Sequence, residues 1–155
     1  MQQQMIIYIF MPMGYKGGYK LLFKIRRSVP ANTLASNPDF QKLSIAKGTI
    51  IEWLVQMPTE CADITQLRVE YHNTQILPFS GSTWLYGLFE PTPIRENIKI
   101  DDGPYDLDIY AFNLDDSYSH EYNLYCNVEP VKPITPGEIM APGWWDQFKG
   151  LFGGA

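Results

Sequence analysis

Polar and apolar residues alternate over several short stretches of this chain, the pattern of strands with one buried face. Tyr19, Leu21, Phe23 and Ile25 fall on one side and Lys20, Lys24 and Arg26 on the other, with Leu22 the exception. Leu107, Ile109 and Ala111 alternate with Asp106, Asp108 and Tyr110 over 105–112, and Tyr122, Leu124, Cys126 and Val128 form the inward set of 120–129. Residues 43–46 predict a short strand. Residues 49–57, β-branched and aromatic, predict a long central strand ended by Pro58. Residues 67–71 and 74–77 flank His72-Asn73 as a tight hairpin, and further strands are expected over 83–89, with Gly87 at a bulge, and over 97–100.

The breakers fit this reading. The stretch 28–38 holds Pro30, Asn32 and Asn37-Pro38, residues 59–65 read as a loop or one short helical turn, and Asp101-Asp102-Gly103-Pro104 is a strong turn signal. About eight short strands with frequent turns predict an all-β fold, an antiparallel β-sandwich of the single jelly-roll type. The organisation expected is an N-terminal arm over 1–18, a sandwich domain over 19–130, a Pro-rich linker over 131–142 and an amphipathic tail over 143–155. Residues 5–11 are apolar but too short a run to span a bilayer as a helix, and read as an added strand or an arm. In the tail, Trp144, Trp145, Phe148, Leu151 and Phe152 share one helical stripe. A helix that short needs a covering surface to be ordered, so these five residues are candidates for subunit contact, with a membrane surface as the alternative partner.

Composition sharpens the picture. The 155 residues are 14% aromatic, which favours strands, and 19% charged, below the roughly 25% of ordinary soluble domains. A weakly charged, aromatic-rich chain suits a protein that buries surface in an assembly. The net charge of −5 argues against nucleic acid as a partner. Charge is also unevenly placed. No acid precedes Asp39, whereas Lys16, Lys20, Lys24, Arg26 and Arg27 do, and 101–121 holds seven acids and no Lys or Arg. The basic part of one subunit could therefore meet the acidic part of another.

Chemistry-bearing motifs are sparse. There is no P-loop, dinucleotide fingerprint or nucleophile elbow, and with only His72 and His120 a multi-histidine metal site within one chain is excluded. No enzyme activity and no cofactor are expected. Asp101, Asp102, Asp115 and Asp116 are the carboxylates that calcium would use, without EF-hand spacing. Asp106, Asp108 and Glu121 on neighbouring strands would be the pair for glycoside hydrolysis, and Tyr86, Tyr110 and Tyr118 would be sugar-stacking platforms. Cys61 and Cys126 have no metal-ligand spacing, and Cys126 reads as a small core residue. Asn113, Asp115, Asp116 and His120 are expected to organise the loop 113–119, because short polar side chains can replace missing backbone partners.

The stretch PYDLDIYAFNLDDSYSH, 104–120, with Asn113, Asp115, Asp116, Tyr118 and His120, resembles a strand–loop–strand pattern of small virion proteins of bacteriophages and archaeal viruses. Residues 50–58, and Gln75-Ile-Leu-Pro78 followed by Trp84, fit the same pattern, and the resemblance covers 20–130. It implies a β-sandwich or jelly roll located in the virion. The implied role is a capsid or capsid-associated building block, with itself and other virion proteins as partners. The alternative expectation is a carbohydrate-binding or adhesion module, and a glycosidase-like enzyme ranks third.

Overall fold

The computed structural model describes residues 8–10, 20–61, 63–79, 83–86 and 93–131 of the chain. They form ten strands: β1 (Tyr8–Phe10), β2 (Lys20–Val29), β3 (Asp39–Ser44), β4 (Gly48–Gln56), β5 (Thr65–Tyr71), β6 (Thr74–Leu77), β7 (Leu85–Tyr86), β8 (Pro93–Ile100), β9 (Asp106–Asn113) and β10 (His120–Pro130). The single helical element among the described residues is a 3-10 turn, Thr59–Cys61, where the sequence suggests a loop or short turn. All pairings are antiparallel and make two sheets. Sheet I runs β1-β2-β10-β4-β8; sheet II runs β3-β9-β5-β6, with β7 also on β5.

The two sheets enclose one core. Leu21, Phe23 and Ile25 of β2, Trp53 and Val55 of β4 and Tyr122, Leu124 and Cys126 of β10 come from sheet I; Leu67, Val69, Leu107 and Ile109 come from sheet II. The architecture is thus an all-β sandwich. Its driving force is burial of the apolar half of each alternating strand, at roughly 25 cal/mol per Å². A bidentate ion pair ties the sheets at one flank: Arg27 of β2 donates from Nε and Nη2 to Asp39 of β3 at 2.9 and 2.7 Å.

Several boundaries differ from the sequence reading, each for a local reason. β3 begins at Asp39 rather than at 43, and β8 at Pro93 rather than at 97. Both lie at sheet edges, where outward residues such as Phe40, Lys42, Arg95 and Lys99 face solvent and imitate a loop. β2 runs on through Ser28 and Val29, and Asn113 belongs to β9 rather than to the loop. In β4 the register shifts at Ile51, which puts Ile50 and Trp53 on the same buried side although they are three residues apart. The hairpin β5–β6 turns through His72 and Asn73, both at positive φ (48° and 62°), the conformation a two-residue hairpin turn requires. Of the 83–89 strand only Leu85–Tyr86 is described; Gly87 lies outside the described residues. Tyr8–Phe10 of the expected arm pairs with Lys20–Leu22 as an edge strand.

The connections gather at two ends. At one, the β2–β3, β4–β5 and β9–β10 connections bond to each other: Asn32 N donates to Asp115 O at 2.8 Å and Leu114 N to Ile64 O at 2.9 Å. At the other, Ile45 N donates to Tyr105 O, His72 Nε2 lies 3.1 Å from Pro104 O, and the Tyr71 hydroxyl donates to Asp102 O.

Candidate functional site

The β9–β10 connection draws four sequence candidates together around Asn113. Asn113 ends β9 fully buried, where backbone groups at the sandwich end lack strand partners. Its Nδ2 donates to Val29 O (3.2 Å) and Tyr118 O (2.9 Å). Its Oδ1 accepts from Asp115 N (3.0 Å) and from the Thr65 hydroxyl (3.3 Å). One amide therefore joins β2, β5 and the loop. Asp115 continues the network: its Oδ1 accepts from Ser117 N and Tyr118 N at 2.8 and 2.9 Å, and its Oδ2 lies 2.8 Å from His120 Nε2. The two backbone amides, and secondarily His120, hold the Asp115 carboxyl below the usual carboxylate range. Asp116 differs. Among the described residues its carboxylate accepts from the Ser117 hydroxyl beside it, while its backbone oxygen takes Asn32 Nδ2 at 3.0 Å. Chemically this cluster is a set of backbone substitutes with one histidine–carboxylate pair.

Other candidates are separated. Asp101 and Asp102 lie in the β8–β9 connection and Asp115 and Asp116 in the β9–β10 connection, at opposite ends of the sandwich, so these four carboxylates do not form one calcium site. Among the described residues no group of three or more His, Cys, Asp and Glu side chains converges. Asp106 and Asp108 alternate with buried Leu107 and Ile109 and face outward from sheet II, whereas Glu121 faces outward from sheet I, paired with Arg26 at 2.7 Å. The carboxylates envisaged for glycoside hydrolysis therefore stand on opposite faces. Cys61 and Cys126 are buried free thiols, and burial raises both pKa values. Trp144, Trp145, Phe148, Leu151 and Phe152, the proposed contact stripe, lie outside the described residues.

The outer face of sheet II carries a second constellation that the sequence reading reached only in part. Phe40, Tyr110 and Arg68 stand in one cross-strand row on β3, β9 and β5. The Arg68 guanidinium is 4.6 Å from the Trp84 ring centroid and 5.0 Å from that of Tyr110. Phe40 packs on Tyr110 (5.3 Å between centroids), and Trp84 meets Phe112 edge-on (4.8 Å, 81°). Tyr86 lies opposite Gln66 at the far side of this face. Arg68 pairs with Glu70 at 3.2 Å and Lys42 with Asp108 at 3.6 Å. Burial, then Glu70 and Asp108, raise the Tyr110 pKa. Of the three tyrosines read as platforms, Tyr86 and Tyr110 share this face, and Tyr118 is on the β9–β10 loop. Phe40, Arg68 and Trp84 were missed because their juxtaposition depends on strand register, which no local spacing encodes.

In comparisons with known proteins, the chain matches no protein-family model, no curated protein and no solved structure.

Proposed function

We propose that this chain is a virion structural subunit, capsid or capsid-associated, that self-assembles through its sandwich and its termini, and that the sandwich is a single jelly roll. The observation that carries this reading is the pairing scheme. Setting aside β1 and β7, eight strands remain, and the first pairs with the last (β2–β10), the second with the seventh (β3–β9), the third with the sixth (β4–β8) and the fourth with the fifth (β5–β6). This nested pairing supports the jelly-roll reading, in which one long antiparallel ribbon folds over on itself as in viral capsid and lectin domains. The step from fold to function rests on that analogy and on the resemblance of 104–120 to virion proteins.

One further feature supports an assembly role. The edge strand β8 of sheet I carries Arg95 and Lys99, and β2, beyond the three residues that pair with β1, carries Lys24 and Arg26, which discourages indiscriminate edge-to-edge pairing. Contacts are then left to the faces, the bonded loop ends and the terminal segments. The proposed partners are the chain itself and other virion proteins. The test is the native mass of the purified full chain beside a variant lacking 143–155. A large, discrete particle that the truncation reduces to folded monomer supports assembly with the tail docked on another copy. A destabilised monomer with unchanged assembly places the tail on its own sandwich. A full chain that stays monomeric overturns the proposal.

A further inference from the structure

We infer that the outer face of sheet II is a binding surface for a neutral, extended oligosaccharide, a property beyond the assembly role and independent of it. Three observations converge on that class of ligand. The first is shape and exposure. Phe40 on β3 is 44% exposed and Tyr86 on β7 is 58% exposed, and both face outward from the same sheet. β9 and β5 lie between them and Tyr86 sits two residues along the strands from the Phe40 row, so the two residues are set about 16 Å apart on a diagonal across three strand spacings. Two aromatic platforms at that separation suit a ligand lying across the strands and presenting flat C–H faces more than once, as equatorially linked sugars do.

The second observation is rigidity. Between the platforms, the Arg68 guanidinium is held by Trp84 and Tyr110, and Trp84 is itself seated edge-on against Phe112. Little side-chain freedom remains to be lost on binding. The third is charge. The cations of this face stand beside carboxylates, Arg68 with Glu70 and Lys42 with Asp108, so the strip offers no excess positive charge to an anionic partner, and the further carboxylate, Asp106, lies at the start of β9 where it accepts from the Ser44 hydroxyl. It does offer planar polar groups, Gln66 between Phe112 and Tyr86 and the Glu70 and Asp108 carboxylates, suited to vicinal hydroxyls.

The experiment uses the full chain with cellohexaose and chitohexaose as neutral probes and polygalacturonate as the charged control. Binding is read by calorimetry and by tryptophan fluorescence, to which Trp84 contributes from the middle of the face. The expected result is saturable binding of at least one neutral hexasaccharide that weakens tenfold or more in the F40A/Y86A variant. Both substitutions are at exposed positions, and an unchanged unfolding midpoint establishes that the variant is folded. Y125A, on the outer face of sheet I, should bind as the parent does. No binding of either neutral probe at millimolar concentration, equal binding by F40A/Y86A, or preference for polygalacturonate would overturn the inference. Loss of particle mass in F40A/Y86A without sugar binding by the parent would assign the face to contacts between copies and overturn it too. Sugar binding by a chain that never assembles would leave this inference standing while removing the virion role.

Discussion

Replacing Asn113 by Ala removes four hydrogen bonds at once, and the structure sets the size of the effect. Two of them, to Val29 O and from the Thr65 hydroxyl, are buried; the other two, to Tyr118 O and from Asp115 N, are partly buried. A net protein hydrogen bond is worth about 1 kcal/mol, and a buried partner left unpaired loses more than that. Water can replace Asn113 at the two loop positions and much less readily at the two buried ones. The expected destabilisation is therefore about 2–4 kcal/mol. At 2–4 °C per kcal/mol for a chain of this size, Tm should fall by roughly 5–15 °C. Urea unfolding followed by far-UV circular dichroism measures it, and the denaturant slope should not change, because the folded core is the same. Asn113→Asp gives an independent check. A carboxylate cannot donate to Val29 O or Tyr118 O, so the loss should be at least as large at pH 7 and should shrink as the acid is protonated. An Asn113→Ala variant within 0.5 kcal/mol of the parent would refute the view that this side chain holds the loop end together.

Three other outcomes follow from the same geometry. The Asp115 carboxyl has a folded-state pKa below its unfolded value of about 3.9, so its contribution is present above that value and is lost as pH falls through the folded one. Asp115→Asn should therefore flatten the acid limb of the stability profile below about pH 4, read from urea midpoints at pH 7 and pH 3. Gly48→Ala would place Cβ 2.3 Å from Glu129 O and 2.9 Å from the Pro130 Cα, both backbone, so the β4–β10 pairing must open and stability should drop by at least about 2 kcal/mol in the same assay. The Tyr122 hydroxyl is buried without a hydrogen-bond partner among the described residues, and burial raises its pKa. Tyr122→Phe should therefore be neutral or stabilise by up to about 1 kcal/mol, and a loss above that would reveal a partner for the hydroxyl.

The central strands were readable because both of their neighbours are strands and one face is always buried. In β9 and β10 the inward sets Leu107, Ile109, Ala111 and Tyr122, Leu124, Cys126, Val128 are all buried as the alternation implies. The edge strands were shortened in the sequence reading. Pro93, Arg95 and Glu96 at the start of β8 look like loop residues, because in 93–96 it is Ile94 that packs against the core. The Ile51 irregularity is also invisible to a strict period of two. At the β9–β10 loop, short polar residues between two clear strands marked the right segment, but the different contacts of Asp115 and Asp116 needed coordinates. The sheet II face was read only through two of its tyrosines. Phe40, Arg68 and Tyr110 come from three segments far apart in sequence and become a row only once β3, β9 and β5 are in register.

The measurement that tests the proposed assembly role most directly is the mass of the purified full chain in solution, by sedimentation velocity and native mass spectrometry over a wide concentration range. A structural subunit should populate a discrete species of many copies, far above the 17.8 kDa of one chain, with a closed particle visible by electron microscopy. A folded chain that sediments as a 17.8 kDa monomer at every concentration would contradict it.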